Sequence, residues 1–509
     1  MNTSAAARPD RTLPALLLIL LVGTLYRAYA LSASGLNLYV DEAQYWTWAQ
    51  ALDWGYYSKP PVIAAIIWAT TGLFGDSEFA IKLGALLLYP FTTLLVYALA
   101  RHWFDRRTAF WSALSFFTLP GIALSSLIIS TDVALFFCWA AATCAFVRAT
   151  ETNAWRWWLA VGVASGIGLL SKYTMGIFAV SALLHLAVVP TLRRHFANPR
   201  PYLAAVLAAL IFAPNLWWNA QNGWPTFQHT AEISNLEGGA KLHWDELTEF
   251  LSGQAAILGL VLFGALIWLL ARPWWRDPVQ RVLACYTLPF LLIISLQALL
   301  GRANANWGAM AYVAGTIWVV SWLLQRRARG WLIASLVFNL TLASLTYHYQ
   351  ALMRAADIPL AGRSKPIACW RALTGSEPGA PCPDFFKRVQ GWDALGAAVR
   401  ERLHISPELR LLTDQRDLIS ELRYYARPAS DTAVLWNATG RIDSHYALTT
   451  TLKDKPGQSY LYVSRSDTLH PALATRFASA TPEPILRVAV RPDWLLELHV
   501  WVLRDYRQE

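Results

Sequence analysis

The chain has 509 residues, 55% of them hydrophobic and 15% charged, and carries a formal net charge of +10 at pH 7. Soluble domains are roughly 45–50% apolar and about 25% charged, so this composition excludes a wholly soluble protein. The positive charge does not call for nucleic acid, because the arginines cluster in short loops between apolar runs: Arg101, Arg106 and Arg107; Arg148 and Arg156; Arg193, Arg194 and Arg200; Arg272, Arg276 and Arg281; Arg326, Arg327 and Arg329. Cytoplasmic loops of membrane proteins carry that excess.

Residues 13–31 form the first apolar run. It can cross about 30 Å of hydrocarbon and is too long for the core of a cleaved signal, so it is expected to remain as an anchor, with Arg8 and Arg11 in the cytoplasm. Tyr39-Val40-Asp41-Glu42-Ala43-Gln44-Tyr45 and Ser58-Lys59-Pro60-Pro61 then fall on the outer side. Residues 61–74 are apolar but short for a span and are expected to lie on the outer surface as an interfacial or re-entrant helix. Were they to cross, every later arginine cluster would move outside.

Further spans are expected at 78–100, 108–125, 128–148, 157–170, 175–189, 202–218, 255–270, 282–300, 308–324 and 331–347. Eleven crossings place every arginine cluster inside and the C-terminus outside. The outer connections then hold Ser130-Thr131-Asp132, Ser171-Lys172-Tyr173-Thr174, a long loop at 219–250 with His229 and His243, and Arg302, Asn304 and Asn306.

From about residue 350 the composition turns polar. Short apolar runs at 409–412, 434–436, 460–463 and 485–490 read as strands, with helical stretches at 392–403 and 418–425 between them. The expected organisation is a polytopic α-helical membrane domain, 1–349, whose first outer loop spans 32–77, followed by a small soluble α/β domain, 350–509. Of the five cysteines, Cys138, Cys144 and Cys285 lie in apolar runs as packing residues. Cys369 and Cys382 are either one local disulfide, if their segment faces an oxidising compartment, or two free thiols.

The chemistry is sought on the outer side. Asp41 or Glu42, with Asp41 preferred, is a candidate general base for an attacking hydroxyl or amine; the alternative is an acid that merely stays hydrated at a helix end. Tyr45, Tyr57 and the nearby tryptophans offer stacking surfaces for a sugar, although aromatic residues also mark any membrane interface. Lys59, stiffened by Pro60 and Pro61, is either a clamp for a phosphate or a lysine snorkelling to the headgroups. Lys172 and Arg302 are further outer cations, and with Lys59 they would form an anion site. Asp132 orients a cation or a sugar hydroxyl, or caps a helix. His229 and His243 are too far apart to argue for a metal.

These residues carry a resemblance. Asp41-Glu42-Ala43-Gln44-Tyr45, Tyr57-Ser58-Lys59-Pro60-Pro61 and Phe74-Gly75-Asp76-Ser77-Glu78-Phe79-Ala80-Ile81-Lys82-Leu83 resemble the first outer loop of the GT-C glycosyltransferases. The similar branch is bacterial and includes relatives of the dolichyl-phosphate-mannose protein mannosyltransferases and of the lipid A aminoarabinose transferase. Ser130-Thr131-Asp132 and Leu170-Ser171-Lys172 look like two further motifs of that family.

The resemblance implies an inner-membrane enzyme that moves a monosaccharide, with inversion, from a polyprenyl-phosphate donor to a periplasmic glycan, lipid A or protein. Asp41 matches the acid that activates the acceptor and Lys59 the lysine that meets the donor phosphate. Asp132 and Lys172 match other outer-facing polar positions. No cofactor is implied, and a divalent cation is left open. A transporter or flippase of lipid-linked glycans is the alternative. It would place its charges near the membrane midplane and show repeated halves, whereas here the acids and lysines lie in outer loops.

Overall fold

The computed structural model describes residues 11–234, 242–362, 364–377, 379–428, 433–452, 455–491 and 494–507; Arg8 and residues 235–241 of the long outer loop lie outside them. Helix α1, Thr12–Ala33, occupies the first expected span. Helix α2, Val40–Ala49, opens directly on the acidic motif, and the Tyr39 N–H donates to Glu42 Oε2 at 2.9 Å, holding its first turn. Helix α3, Val62–Phe74, is the short apolar run, and its 13 residues are too few to cross a bilayer upright.

Every further expected span is met by helix. Helix α4 is Glu78–Trp103; α5, Arg106–Phe117, and α6, Pro120–Ser125, share the third expected span. That span breaks because Pro120 cannot donate its missing N–H or continue the preceding turn. Helices α7, Thr131–Thr152, α8, Trp155–Leu169, α9, Ile177–Val188, and α10, Pro199–Gln221, follow. Helix α11, Pro225–Ser234, lies in the long outer loop, and α12, Trp244–Leu258, meets α13, Leu260–Leu270, at a bend of 117°. Gly259 allows the bend with φ +85°. Helices α14, Pro278–Leu300, α15, Tyr312–Gln325, and α16, Arg329–Tyr347, complete the bundle.

Among the described residues, seven helical segments qualify as spans by length and apolarity, or up to nine when each of two bent pairs counts as one. Of the other two expected crossings, the third is divided between α5 and α6, and the fifth is met by α8, whose 15 residues fall short of a full span. Helix α7 and the segment Ala305–Gln325 are mostly buried and form the centre; α1, α10 and α16 turn most of their surface outward.

Beyond α16 come helices α17, Tyr349–Ala355, and α18, Pro366–Leu373, and two short parallel strands, β1, Leu360–Ala361, and β2, Cys382–Pro383. Cys369 and Cys382 are joined in a disulfide there. A five-stranded sheet follows in the order β4-β3-β5-β7-β6. Its strands are β3, Leu409–Thr413, β4, Val434–Leu435, β5, Ser459–Ser464, β6, Phe477–Arg491, and β7, Trp494–Tyr506. Strands β4, β3 and β5 are parallel; β7 runs antiparallel to both β5 and β6. Helices α19, Trp392–Ile405, and α20, Arg416–Tyr425, cover it. The four expected strands and two expected helices are all present, and β7 is an additional strand.

The sheet domain is fastened to the first outer loop. Helix α20 packs on α2, and one apolar cluster runs through both, with Trp46 and Trp48 on one side and Leu418 and Tyr424 on the other. Tyr425 Oη donates to Glu78 and accepts the Leu38 N–H at 2.7 Å. Arg427 pairs with Asp76 and lies over the Trp46 and Tyr424 rings at 4.5 and 4.3 Å. The Trp392 N–H donates to Asn37 Oδ1 at 2.9 Å. Asp76 and Glu78 of the 74–83 motif therefore serve as the seat for the sheet domain.

Glu421, on α20, is buried in this seam with neither carboxyl oxygen hydrogen-bonded. Burial, followed by the neighbouring Glu42, Asp417 and Glu78 carboxylates, raises its pKa well above the usual range. The folded state thus keeps a proton that the unfolded chain releases above about pH 4.3. Its stability contribution is complete below that pH and is lost as the pH rises towards the folded value. A Glu421→Gln variant, with no proton to lose, should melt at a higher temperature than wild type at pH 7–8, and the gap should close near pH 4. Equal gaps at both pH values in thermal melts would contradict a neutral buried acid.

Candidate active site

The first outer loop is positioned by contacts on both sides. Gly55 packs against α10 so closely that a Cβ there would lie 2.4 Å from the Trp218 ring. Asn215 of α10 donates to the Trp54 carbonyl at 2.7 Å, and the Trp218 indole N–H donates to Asp53 at 2.6 Å. The Tyr56 ring stacks on Trp48 at 4.5 Å, and the Tyr56 N–H donates to the Lys59 carbonyl at 3.2 Å. These contacts close the loop on α2 and aim Lys59 at the same space as Asp41.

That space is a cavity of about 800 Å³ whose walls include Asp41, Tyr45, Lys59, Asp132, Lys172 and Arg302. Six of the expected site residues, drawn from five separate stretches of sequence, thus meet in one chamber. Glu42 and Tyr57 are not on its walls. Tyr57 is buried with its ring 5.0 Å from that of His229.

The two adjacent acids differ sharply. Glu42 is fully buried. Its Oε1 accepts the Ile129 N–H at 2.8 Å, its Oε2 accepts the Tyr39 N–H, and Lys82 Nζ lies 3.2 Å away. It ties α2 to α4 and to the turn before α7. Asp41 is about half exposed and opens on the cavity. Arg416 of α20 holds its Oδ1, and its Oδ2 has no hydrogen-bond partner among the described residues. The same guanidinium donates from Nε to Gln44 Oε1 at 2.5 Å, so two residues of one α2 face hold it. Asp41 is thus fixed in direction while one oxygen stays open.

Asp132, in the first turn of α7, accepts from Lys172 Nζ on Oδ1 and from the Asn306 amide on Oδ2, each at 2.6 Å. The acid serves as the strut between three outer loops. Lys172 is consumed by that pair, whereas Lys59 and Arg302 make no ion pair with an acid among the described residues. Burial, then the nearby Lys172 charge, lowers the Lys59 pKa to about 8. Burial, then the charge of Lys59, lowers His229 to about 4 and keeps it neutral. Among the described residues no group of three or more His, Cys, Asp or Glu is placed to hold a metal ion.

The chamber thus holds Lys59 and Arg302, two cations without an acidic partner among the described residues that could meet an anion, and one free carboxylate oxygen on Asp41 that could meet a hydroxyl. No sequence signal points to Arg416, which lies 375 residues beyond Asp41 in a helix of ordinary polar composition. In the sequence Asn306 shows only as an amide in a short connection between two apolar runs, with nothing to pair it with Asp132.

The sequence matches the family model described as dolichyl-phosphate-mannose-protein mannosyltransferase over residues 58–218. The chain is 36% identical over 341 residues to the lipid A galacturonosyltransferase RgtD of Rhizobium johnstonii, a match spanning 65% of this chain and 70% of the relative. It is 31% identical over 274 residues to the undecaprenyl phosphate-alpha-4-amino-4-deoxy-L-arabinose arabinosyl transferase of Erwinia tasmaniensis, spanning 49% and 47% of the two chains. The crystal structure of ArnT from Cupriavidus metallidurans in the apo state superposes with a TM-score of 0.65 at 16% identity, over 97% of this chain and 98% of that one. At that identity the likeness is one of fold.

Proposed function

The chain belongs to the GT-C membrane glycosyltransferases, in the family of the lipid A galacturonosyltransferase, and we propose that it transfers a monosaccharide from a polyprenyl phosphate to lipid A or another lipopolysaccharide acceptor. It is an integral-membrane enzyme. The observation that carries the reading is the chamber that brings the free oxygen of Asp41 together with Lys59 and Arg302.

The polyprenyl phosphate head group sits against Lys59 and Arg302, with its sugar turned towards Asp41. The acceptor hydroxyl oxygen bonds to the anomeric carbon from the face opposite the phosphate. Asp41 Oδ2 takes the hydroxyl proton as the bond from anomeric carbon to phosphate oxygen breaks, and the phosphate leaves with the electron pair. The configuration inverts. Phosphate is a stable leaving group, so its oxygen needs cations and no general acid. Glu42 and the Asp132–Lys172 pair position the loops, and Tyr45 lines the sugar site. We assign residues 1–349 to the membrane domain and 350–509 to the sheet domain. The protein lies in the bacterial inner membrane with its N-terminus cytoplasmic and both the chamber and the sheet domain periplasmic.

The test is transfer by the purified protein from polyprenyl-phosphate galacturonic acid, and separately from polyprenyl-phosphate 4-amino-4-deoxy-L-arabinose, to lipid A. The readouts are the mass of the product and the polyprenyl phosphate released. Modification with one of the two donors supports the reading, and release of neither product sinks it. Lys59 adds a pH signature. Its ammonium is lost as the pH rises through about 8, so the donor KM of wild type should rise above that pH. A Lys59→Arg variant, whose guanidinium stays charged, should show a flat donor KM over the same range. A wild-type donor KM that did not change between pH 7 and 9 would remove Lys59 from the phosphate site.

A further inference from the structure

A second cavity, of about 770 Å³, lies on the other side of Asp41. Its walls come wholly from residues 39–41 and from the sheet domain, with none from the membrane helices. Its wall takes Arg416, the first residue of α20 just after β3, and Arg465, the residue that follows β5, so it lies by the C-terminal ends of these two parallel strands. In open α/β sheets, that edge is where ligands bind. Five cations line it, Lys387, Arg388, Arg416, Arg465 and Arg491, against the two acids Asp41 and Asp417, so the space is strongly positive.

Three of these cations already have acidic partners. Arg416 holds Asp41, Arg465 lies 2.5 Å from Asp417, and Arg491 lies 2.6 Å from Asp384. Lys387 and Arg388 have none among the described residues. Lys387 reaches the Gly362 carbonyl at 3.4 Å, and Arg388 donates to Tyr39 Oη at 3.3 Å. Arg388 thereby stands beside the turn that opens α2, two residues ahead of Asp41.

We infer that this cavity is the acceptor's binding site and that Lys387 and Arg388 hold a phosphate monoester of the acceptor head group while its hydroxyl reaches Asp41. The inference rests on the transfer reaction proposed above and adds what the acceptor must carry. Asp41 then stands in the wall between two chambers. The donor occupies the one with Lys59, the acceptor enters through the other, and the proton is removed where they join. Carboxylate–guanidinium pairs keep Arg416, Arg465 and Arg491 in place as the wall, and the two unpaired cations do the binding. A charge-assisted hydrogen bond to phosphate is about twice as strong as a neutral one, so losing it should cost roughly tenfold in affinity.

The experiment compares wild type with a Lys387→Gln/Arg388→Gln variant in nanodiscs without donor. Binding is measured to lipid A bearing its phosphates, to the same lipid A after phosphatase treatment, and to inorganic phosphate. Wild type should bind the phosphorylated lipid about tenfold or more tightly than the dephosphorylated one, and the variant should lose that preference at an unchanged melting temperature. In transfer assays the variant should raise the acceptor KM and leave the donor KM alone. Equal binding of the two lipids by wild type, or a preference that survives in the variant, would overturn the assignment even in an active preparation. Inorganic phosphate binding as tightly as the phosphorylated lipid would overturn the acceptor role. If wild type transfers no sugar but still prefers the phosphorylated lipid, the transfer reading fails and the phosphate site stands. A single Arg388→Lys variant, which keeps the charge, should retain most of the preference.

Discussion

Replacing Asp41 by Asn is expected to lower turnover by about 10²–10⁴-fold, the range removed with a general base, while the protein folds and inserts as before. The side chain is about half exposed and its pair with Arg416 is solvated; such pairs contribute about 0–1 kcal/mol to stability. The amide keeps the shape and can still meet the Arg416 guanidinium through its oxygen, but it cannot accept the hydroxyl proton. Donor binding, measured by a KM or by protection of the donor, should change little, because Lys59 and Arg302 are untouched. Near wild-type turnover in the Asn variant would remove Asp41 from the reaction.

The neighbouring substitution, Glu42→Ala, is expected to do the reverse in kind. It leaves Lys82, only 5% exposed at its side chain, without its counter-ion and strips the Ile129 and Tyr39 N–H groups of their acceptor. Breaking a buried pair in this way costs roughly 3–5 kcal/mol. The variant should therefore be poorly folded, with low recovery from the membrane and a large fall in melting temperature. A Glu42→Ala/Lys82→Met double variant, which removes both charges, should recover much of the loss, since an apolar replacement of a buried pair is often neutral or stabilising. A Glu42→Ala protein of normal stability that lacked turnover would instead give Glu42 a place in the chemistry.

The contrast between these two acids shows how far the one-dimensional pattern reaches. In the sequence Asp41-Glu42 is two adjacent carboxylates in one loop after an apolar run, with Asp41 only preferred as the base. Which of the two is free depends on partners far along the chain. Lys82 and Ile129 take Glu42 inward, and Arg416, from another domain, turns Asp41 outward. The same holds for the three outer cations. They look alike as exceptions to the charge rule, yet Lys172 is spent on Asp132 while Lys59 and Arg302 are not.

Hydropathy and charge thus determined the class of this protein: a polytopic helical bundle with an acidic and aromatic loop after its first apolar run and a small sheet domain beyond the last. They could do so because a bilayer demands long apolar runs separated by short charged loops, and both are sums over neighbouring residues. The tertiary structure decided where the helices break, that Asp76 and Glu78 seat the sheet domain, that α20 supplies Arg416 to Asp41, and that Asp41 faces two chambers at once. Those facts come from side chains separated by hundreds of residues meeting in one packed seam. No local pattern encodes which of several exposed arginines will cross that distance to a given carboxylate.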